Sequence, residues 1–524
     1  MNTNSNLKLT QTQRLLIVLI FALYTFFVFF TLAKYPTPFY DETAFNNTAH
    51  CIANSKECSS TPFSAHLSAP EKLYLVGYVP LYFWLMAFIT KIFGFSIYTI
   101  RITSYCIGII TLLIFFFMLR KLLKENNIVI VCLLLFAVDK AFISSSKFGR
   151  PDILAVCFST AAILFYLKSY LENESKINFL FCGILYACAF MTHIPLGFYP
   201  LCLTVVHFMI VRRYKKYGFK TLLFLLGPTA AFFFSWLIIF IIPQIIKQPG
   251  LVNEIIGLYT YRADMHLHAL WTVFKWFSGH LGNELAVFYI YAFLWLAVLV
   301  CLKNKFGQKW FFFLITIFMY PYLIRYGNLF YASLMTTVAS ITFGYLASKE
   351  SRYRKTIIAF IIIVICCNIV RQGRIIKKTL HYSYEEFSQR ISNYLHRDAK
   401  VLIYSASLNP YFYLAVKRKD LRLEYDRFSD LYDHTHIAPY FRESVANADY
   451  IVTSLLHESL RKIENKIPLS RRVFIENRYS NKEKPKVDEL IIVDELIKRG
   501  GDVYFLDDIE WVVIKLAAPK DEEH

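Results

Sequence analysis

An unbroken uncharged segment near the N-terminus most limits how this chain can fold. Residues 15–33 carry no charged side chain and lie between Arg14 and Lys34. Their length, roughly nineteen residues, is close to the ~20 that a helix needs to cross a bilayer core. Only helices and closed barrels span lipid, and the apolar runs here are too long and continuous for barrel strands. The chain is 56% hydrophobic and 18% charged, so we predict a polytopic α-helical membrane protein.

Further apolar segments bring the prediction to about eleven spans. After the first span they run over 102–119, 127–144, 153–168, 177–193, 194–211, 221–243, 285–302, 310–325, 327–347 and 356–370. If the N-terminus is cytoplasmic, nearly every cytoplasmic connection is basic, as at Arg212–Lys216. This asymmetry predicts a cytoplasmic N-terminus and explains the net charge of +19 without a nucleic-acid partner.

The first outside loop, residues 34–101, contains a second apolar stretch at 79–89. Counting this stretch as a span would place the basic Arg212 cluster outside the membrane, against the positive-inside rule. We therefore interpret it as an interfacial or re-entrant helix whose Tyr and Trp residues favour the headgroup zone. A true short span is the alternative.

The composition changes near residue 371, where the apolar spans end. Residues 1–371 form the predicted membrane domain, and residues 372–524 are polar, with short apolar runs. Among these runs, 401–404, 450–452 and 511–514 are predicted strands, and 410–416 is a predicted helix. Strands interleaved with helices indicate a small extracytoplasmic α/β domain.

Two acidic motifs fall on the predicted outside face. Asp41 and Glu42 follow the first span, and Arg150-Pro151-Asp152 follows the third. Carboxylates at a membrane mouth are costly to keep charged unless a cation or a substrate shares the site. The structural alternative is capping, because Pro suits the first helical position and Asp the positive helix end.

The order of these motifs resembles membrane glycosyltransferases of the GT-C type. The similarity rests on the Asp-Glu pair, a Pro-Leu-Tyr helix ending near Phe93-Gly94, a span opening with Arg101, and Arg-Pro-Asp after the third span. It covers roughly residues 10–350 and is greatest for bacterial relatives of protein mannosyltransferases and of the lipid A aminoarabinose transferase. The resemblance implies transfer of a hexose or pentose from a polyprenyl-phosphate donor to an extracytoplasmic acceptor, usually with inversion.

The resemblance also implies roles for the acidic residues. Asp41 matches the family's catalytic aspartate and is the expected general base, because an attacking hydroxyl must lose its proton. Glu42 is expected to orient the acceptor or Asp41. Asp152 matches the second acidic position, where it binds sugar hydroxyls or steadies a cation, and Arg150 pairs with it or contacts phosphate.

A lipid-phosphate leaving group requires cations on the same face. Arg262, Arg325 with the neighbouring Tyr326, Lys72 and His193 are the candidates, and interfacial anchoring is the alternative for the arginines. The family often has Lys before the Pro-Leu-Tyr segment and after the fifth span. Tyr78-Val79 and His193 occupy those places here.

Several questions stay open at this level. His266 and His268, with Asp264 nearby, are weak candidates for metal ligands, and a divalent cation, which some relatives carry near the first acidic loop, stays open. Cys51 and Cys58 lie in the outside loop, where they could pair. The acceptor is a lipid, a glycan or a protein, and the size of the chain favours a bacterial inner membrane. A transporter or lipid flippase is the main alternative, although the chain lacks the repeated halves typical of transporters. A binding-only relative is a third.

Overall fold

The computed structural model describes most of the chain, with gaps. The described residues are 8–32, 40–54, 79–123, 125–171, 175–193, 220–247, 354–379, 383–404, 410–426, 445–453, 498–506 and 511–518, with single positions at 204, 207, 208, 336, 337, 340, 341, 343, 344, 347, 443, 492, 495 and 496. The predicted spans at 285–302 and 310–325 therefore lie outside the described residues.

The chain divides into two compact units, which are described separately. The first unit comprises residues 1–32, 78–85 and 101–380, and the second comprises 33–77, 86–100 and 381–524. The predicted division into residues 1–371 and 372–524, with the second part outside the membrane, stays a prediction.

Helices make up the described part of the membrane region. They are α1 (Gln11–Phe29), α2 (Tyr40–Ala53), α3 (Leu81–Phe93), α4 (Ile97–Leu122), α5 (Asn126–Ala137), α6 (Lys140–Lys147), α7 (Pro151–Leu171), α8 (Lys176–Thr192), α9 (Lys220–Trp236), a π-helical turn (Leu237–Ile241), α10 (Ile242–Lys247) and α11 (Arg354–Thr379). Five helical segments within the described residues are long and apolar enough to cross a membrane, or six if the bent pair α5–α6 counts as one span. The count of eleven stays a prediction.

Helix α1 begins at a capping box and presents apolar side chains outward. The backbone N–H of Gln13 donates to Thr10 Oγ1, and the N–H of Thr10 donates to Gln13 Oε1. Leu15, Val18 and Leu19 are each more than half exposed. In water such a surface would be unstable, so this face suits contact with lipid.

The third predicted span is bent by 54° between α5 and α6. Asp139 lies at the break and caps α6, because its Oδ1 accepts from the backbone N–H of Phe142 at 3.0 Å. The same oxygen accepts from Thr336 Oγ1 at 3.1 Å. A polar cap at this depth satisfies the donors that the break exposes.

Close helix packing in the first unit depends on glycine. A Cβ atom at Gly183 of α8 would lie 2.2 Å from the carbonyl oxygen of Phe224 in α9. At Gly108 of α4, a Cβ would lie 2.0 Å from the Tyr24 hydroxyl. Small residues thus let the helices approach closely, as is typical of membrane helix interfaces.

Helix α3 is the apolar stretch interpreted as interfacial or re-entrant. Its 13 residues rise about 20 Å, less than the ~30 Å of a hydrocarbon core. Tyr82 and Met86 are buried, whereas Trp84 and Phe88 are exposed. Its interfacial or re-entrant placement stays a prediction.

The second unit contains a five-stranded mixed sheet. Besides α2, its elements after residue 380 are α12 (Tyr384–Ser392), β1 (Lys400–Tyr404), α13 (Tyr411–Lys417), β2 (Arg422–Asp426), β3 (Tyr450–Thr453), β4 (Gly501–Leu506) and β5 (Trp511–Leu516), and the strand order is β2-β1-β3-β5-β4. Strand β1 pairs in parallel with β2 and β3, while β5 is antiparallel to β3 and β4. The predicted strands at 401–404, 450–452 and 511–514 and the helix at 410–416 are confirmed.

The central strands form the core of this sheet. Leu402, Ile451 and Val513 are fully buried, as expected of strands covered on both faces. Arg499 links the segments on either side of the sheet strands. Its guanidinium donates to the carbonyls of Ala446 and Ala448, before β3, at 2.9 Å each, and to that of Ala517, after β5.

Candidate active site

The Arg-Pro-Asp motif lies at the junction between α6 and α7. Helix α6 ends at Lys147, the chain bends through residues 148–150, and Pro151 begins α7 with Asp152 in its first turn. This placement agrees with the sequence prediction, because Pro has no N–H to lose at the first helical position.

Asp152, in the first turn of α7, is ion-paired. Its Oδ2 lies 2.7 Å from Arg150 Nε, and its Oδ1 lies 3.6 Å from His193 Nδ1. The side chains of all three residues are almost entirely buried. His193 follows the last residue of α8, so the packing of α7 against α8 brings two sequence-predicted residues, Asp152 and His193, together.

Two further basic side chains belong to the same end of the helix bundle. Lys147 Nζ donates to Thr31 Oγ1 at 2.7 Å, and Arg101 Nη1 donates to the carbonyl of Leu32, also at 2.7 Å. Arg101 also lies over the ring of Phe148, with 5.6 Å between Cζ and the ring centroid. We name Arg101, Lys147, Arg150, Asp152 and His193 the buried charge cluster.

The buried charge cluster forms where five helix ends meet. The end of α1, the start of α4, the end of α6, the start of α7 and the end of α8 contribute to it. Successive spans alternate in direction, so these five ends fall on one side of the membrane if α5–α6 is one span. That side is the one predicted to face outside.

Arg101 and Lys147 were not among the site residues predicted from the sequence. Both are nearly or fully buried, although isolated charges are rarely buried without paired or polar surroundings. The available signal was position: each stands beside an apolar segment at its predicted outer end. Their convergence depends on helix packing, which the sequence pattern does not give.

The remaining candidates are only partly described. Asp41 lies in the first turn of α2 by its backbone, and its side chain is outside the described part. Glu42 is fully buried on the same helix. Lys72, Arg262, Arg325 and Tyr326 lie outside the described residues, as do Cys58, Asp264, His266 and His268. Pairing of Cys51 with Cys58 and the roles of these residues stay predictions.

No metal centre emerges from the part of the chain that the structure describes. Within it, no group of three or more His, Cys, Asp or Glu side chains is arranged to hold an ion. Asp152 and His193 are the closest approach to such a group in the buried charge cluster, and Arg150 already shares that carboxylate.

The described residues thus form membrane-length helices with buried charge at one end and, in the C-terminal region, an α/β sheet. Residues 78–240 match the family described as dolichyl-phosphate-mannose-protein mannosyltransferase. No curated protein matches the sequence. The recognised GT-C similarity is thus supported by a family match and by fold.

Solved structures carry the likeness in fold over nearly the whole chain. The structure of ArnT from Cupriavidus metallidurans bound to undecaprenyl phosphate is 11% identical, with a TM-score of 0.54, and the match covers 98% of this chain and 100% of that one. The archaeal oligosaccharyltransferase AglB from Archaeoglobus fulgidus, in complex with an inhibitory peptide and a dolichol-phosphate, is 12% identical, with a TM-score of 0.50. That match covers 86% of this chain and 70% of AglB.

Proposed function

We propose that this protein is a membrane glycosyltransferase that moves a hexose or pentose from a polyprenyl-phosphate donor to an extracytoplasmic acceptor. The observation that carries the proposal is the buried charge cluster, in which Arg101, Lys147 and Arg150 lie at one end of a bundle of membrane-length helices. Buried cations need anionic or strongly polar surroundings. A lipid phosphate, bound by Arg and Lys donors, is an anion of the expected kind.

The chemistry follows from this arrangement. The acceptor hydroxyl oxygen attacks the anomeric carbon from the face opposite the phosphate, and its proton passes to the Asp41 carboxylate as general base. The bond between the anomeric carbon and the phosphate oxygen breaks, and the phosphate leaves with the electron pair. Cations that stabilise this developing charge lower the barrier.

Each remaining candidate has a place in the proposal. Glu42 orients the acceptor or Asp41. Asp152 binds sugar hydroxyls and holds Arg150 and His193 in position through the contacts described above. Four more residues, in the predicted outside loops and at span ends, would contact the lipid phosphate or the membrane interface: Lys72, Arg262, Arg325 and Tyr326.

The fold likeness favours an enzyme over a transporter or flippase. ArnT was solved with undecaprenyl phosphate and AglB with a dolichol-phosphate, and we extend a lipid-phosphate ligand to this chain by analogy. The acceptor is a lipid, a glycan or a protein. We further propose a bacterial inner-membrane location with a cytoplasmic N-terminus, from the distribution of Lys and Arg.

Sugar transfer by purified protein tests the proposal. Wild type, Asp41→Asn and Asp152→Asn would be assayed in detergent with a panel of undecaprenyl-phosphate-linked sugars and membrane-extract acceptors. We expect release of undecaprenyl phosphate by wild type and a loss of at least about 100-fold in Asp41→Asn, since general-base catalysis contributes 10²–10⁴-fold. Glu386→Gln is the matched control, because Glu386 is an exposed carboxylate in α12.

The outcomes separate the alternatives. Equal turnover by Asp41→Asn and wild type would remove Asp41 from the chemistry. If wild type moves undecaprenyl phosphate across vesicle membranes but transfers no sugar, the flippase hypothesis replaces the enzyme hypothesis.

A further inference from the structure

Helix α2, whose first turn contains Asp41 and Glu42, is a buried polar helix. Glu42, Thr43 and Asn46 are fully buried, and Asn47 is nearly so. Asn46 Nδ2 donates to the carbonyl of Glu42 at 2.7 Å within the helix. Buried polar side chains require specific partners, so the position of this helix is set by the groups around it.

One partner comes from the C-terminal region of the chain. The Tyr411 hydroxyl donates a hydrogen bond to Asn47 Oδ1, and both residues are at least nine-tenths buried. Tyr411 is the first residue of α13, the helix that follows the interior strand β1. The contact joins residues 364 positions apart and anchors α2 to the sheet region of the second unit.

A row of aromatic rings supports the same attachment. His50, one turn beyond Asn47, stacks on Phe95 with ring centroids 4.2 Å apart and an interplanar angle of 25°. The ring centroid of Phe95 in turn lies 5.5 Å from that of Phe412, the residue after Tyr411. Asn47 and His50 share one helix face because they are three residues apart. Hydrogen bond and rings therefore hold α2 from one side.

We propose that Tyr411 is a positioning residue: by bonding Asn47 it fixes the rotation and the axial position of α2, and with them the backbone that presents Asp41 and Glu42. The inference rests on the proposed function, in which Asp41 is the general base. Asn47 stands six residues beyond Asp41, about 9 Å along a helix axis, so a small rotation at Asn47 turns the first turn by the same angle. Misplacement of reacting groups by about 1 Å can cost 10²-fold in rate.

The decisive variant is Tyr411→Phe, which removes one hydroxyl and keeps the ring beside Phe412. Tyr413→Phe is the matched control, because Tyr413 lies on the same helix and its hydroxyl has no hydrogen bond among the described residues. Two readouts are needed: amide hydrogen exchange of the peptide spanning 40–53, and kcat and KM for transfer from an undecaprenyl-phosphate-linked sugar.

Positioning predicts a specific pattern. In Tyr411→Phe, exchange in α2 rises several-fold, as expected when a hydrogen bond worth ~1 kcal/mol is lost. The value of kcat falls about tenfold or more, while KM for the donor and the melting temperature stay near wild type. Tyr413→Phe changes none of these. Asn47→Ala lowers kcat similarly, and the double variant is no worse than the poorer single one because both remove the same contact.

Other results overturn the inference. Unchanged exchange in α2 would show that Tyr411 does not hold the helix, whatever happens to the rate. Faster exchange with unchanged kcat would show that the position of α2 does not govern chemistry. If Tyr411→Phe matches wild type in exchange and in kcat while Asp41→Asn is inactive, the inference is overturned and the proposed function stands. If wild type transfers no sugar, the proposed function fails and takes the catalytic part of the inference with it.

Discussion

Arg150 Nε lies 2.7 Å from Asp152 Oδ2, and both side chains are buried. The two residues belong to one tripeptide, yet Arg150 precedes α7 and Asp152 lies within its first turn. The bend at residues 148–150 is what allows the guanidinium to turn back onto the carboxylate. The pair therefore joins the geometry of the helix start to the charge of the site.

Breaking this pair is expected to cost more than removing both partners. Asp152→Ala leaves the Arg150 guanidinium beside a cavity and lowers the free energy of unfolding by about 3–5 kcal/mol. Replacing both residues by apolar ones, as in Arg150→Met with Asp152→Leu, recovers part of that loss while transfer stays abolished. Thermal melting in detergent measures both effects. If the loss in the double variant equals the sum of the losses in Arg150→Met and Asp152→Leu alone, the two residues are not coupled.

Lys147 is expected to contribute to binding of the lipid phosphate. Its ammonium group donates to Thr31 in the buried charge cluster, and a charge-assisted hydrogen bond to phosphate is worth about 1.5–3 kcal/mol. Lys147→Ala should therefore weaken binding of undecaprenyl phosphate by roughly 10- to 100-fold, measured by titration in detergent.

Lys168 supplies the control for this experiment. It lies exposed in the last turn of α7, at the end of the helix away from the cluster, and Lys168→Ala should leave the affinity unchanged. Equal weakening in both variants would indicate a general effect of charge on the lipid, and the assigned role of Lys147 would be lost.

Gly183 should tolerate no larger side chain. A Cβ atom there would lie 2.2 Å from the carbonyl oxygen of Phe224, so Gly183→Ala must separate α8 from α9. We expect a loss of roughly 1–3 kcal/mol, as in other overpacked interiors, seen as a lower melting temperature.

Gly373 of α11 tests whether this effect is steric. Among the described residues, a Cβ at Gly373 would meet no heavy atom within 4 Å, and the helix propensity of Ala should make Gly373→Ala neutral or stabilising by up to about 1 kcal/mol. Comparable losses at both positions would mean that glycine is needed for some reason other than close packing.

Because of Asp420, the stability of the sheet region should depend modestly on acidic pH. The hydrogen bond from Arg418, at 2.8 Å, holds the pKa of this carboxyl below its usual range. Because the pKa is lowered in the folded state, ionised Asp420 stabilises the fold above the unfolded pKa of about 3.9. This stabilisation is lost as the pH falls through the folded pKa.

The comparison of wild type with Asp420→Asn checks this sign. The variant should melt at a slightly lower temperature at pH 7, and the difference should shrink as the pH falls below about 3.9 and Asp420 becomes protonated in the folded state. A difference that grows on acidification would contradict the proposed origin. Because the Asp420 side chain is 31% exposed, the effect should also shrink in high salt.

Local patterns in the sequence predicted several elements well. The membrane-length runs at 102–119, 153–168 and 221–243 correspond to α4, α7 and α9 with its π-helical turn. Three predicted strands and one helix of the C-terminal region are also present. Strands β2 and β4 were not predicted, because Arg422–Asp426 and Gly501–Leu506 mix charged, glycine and apolar residues and take their strand conformation from pairing with β1 and β5.

The site was predicted unevenly for the same reason. Arg150, Asp152 and His193 carried signals that the sequence shows directly: an acidic motif after a span and a polar residue at a helix end. Arg101 and Lys147 carried weaker signals, and nothing near Tyr411 or Asn47 pointed to a contact between them.

Sequence alone determined which stretches are apolar enough to span lipid, which connections are basic and which residue types stand at the ends of the spans, because each depends on neighbours along the chain. Only the tertiary structure decided that Lys147 meets Thr31, that His193 meets Asp152 and that Tyr411 meets Asn47. Such contacts depend on how helices and strands pack, and packing is selected by the fit of whole surfaces, which no short segment encodes.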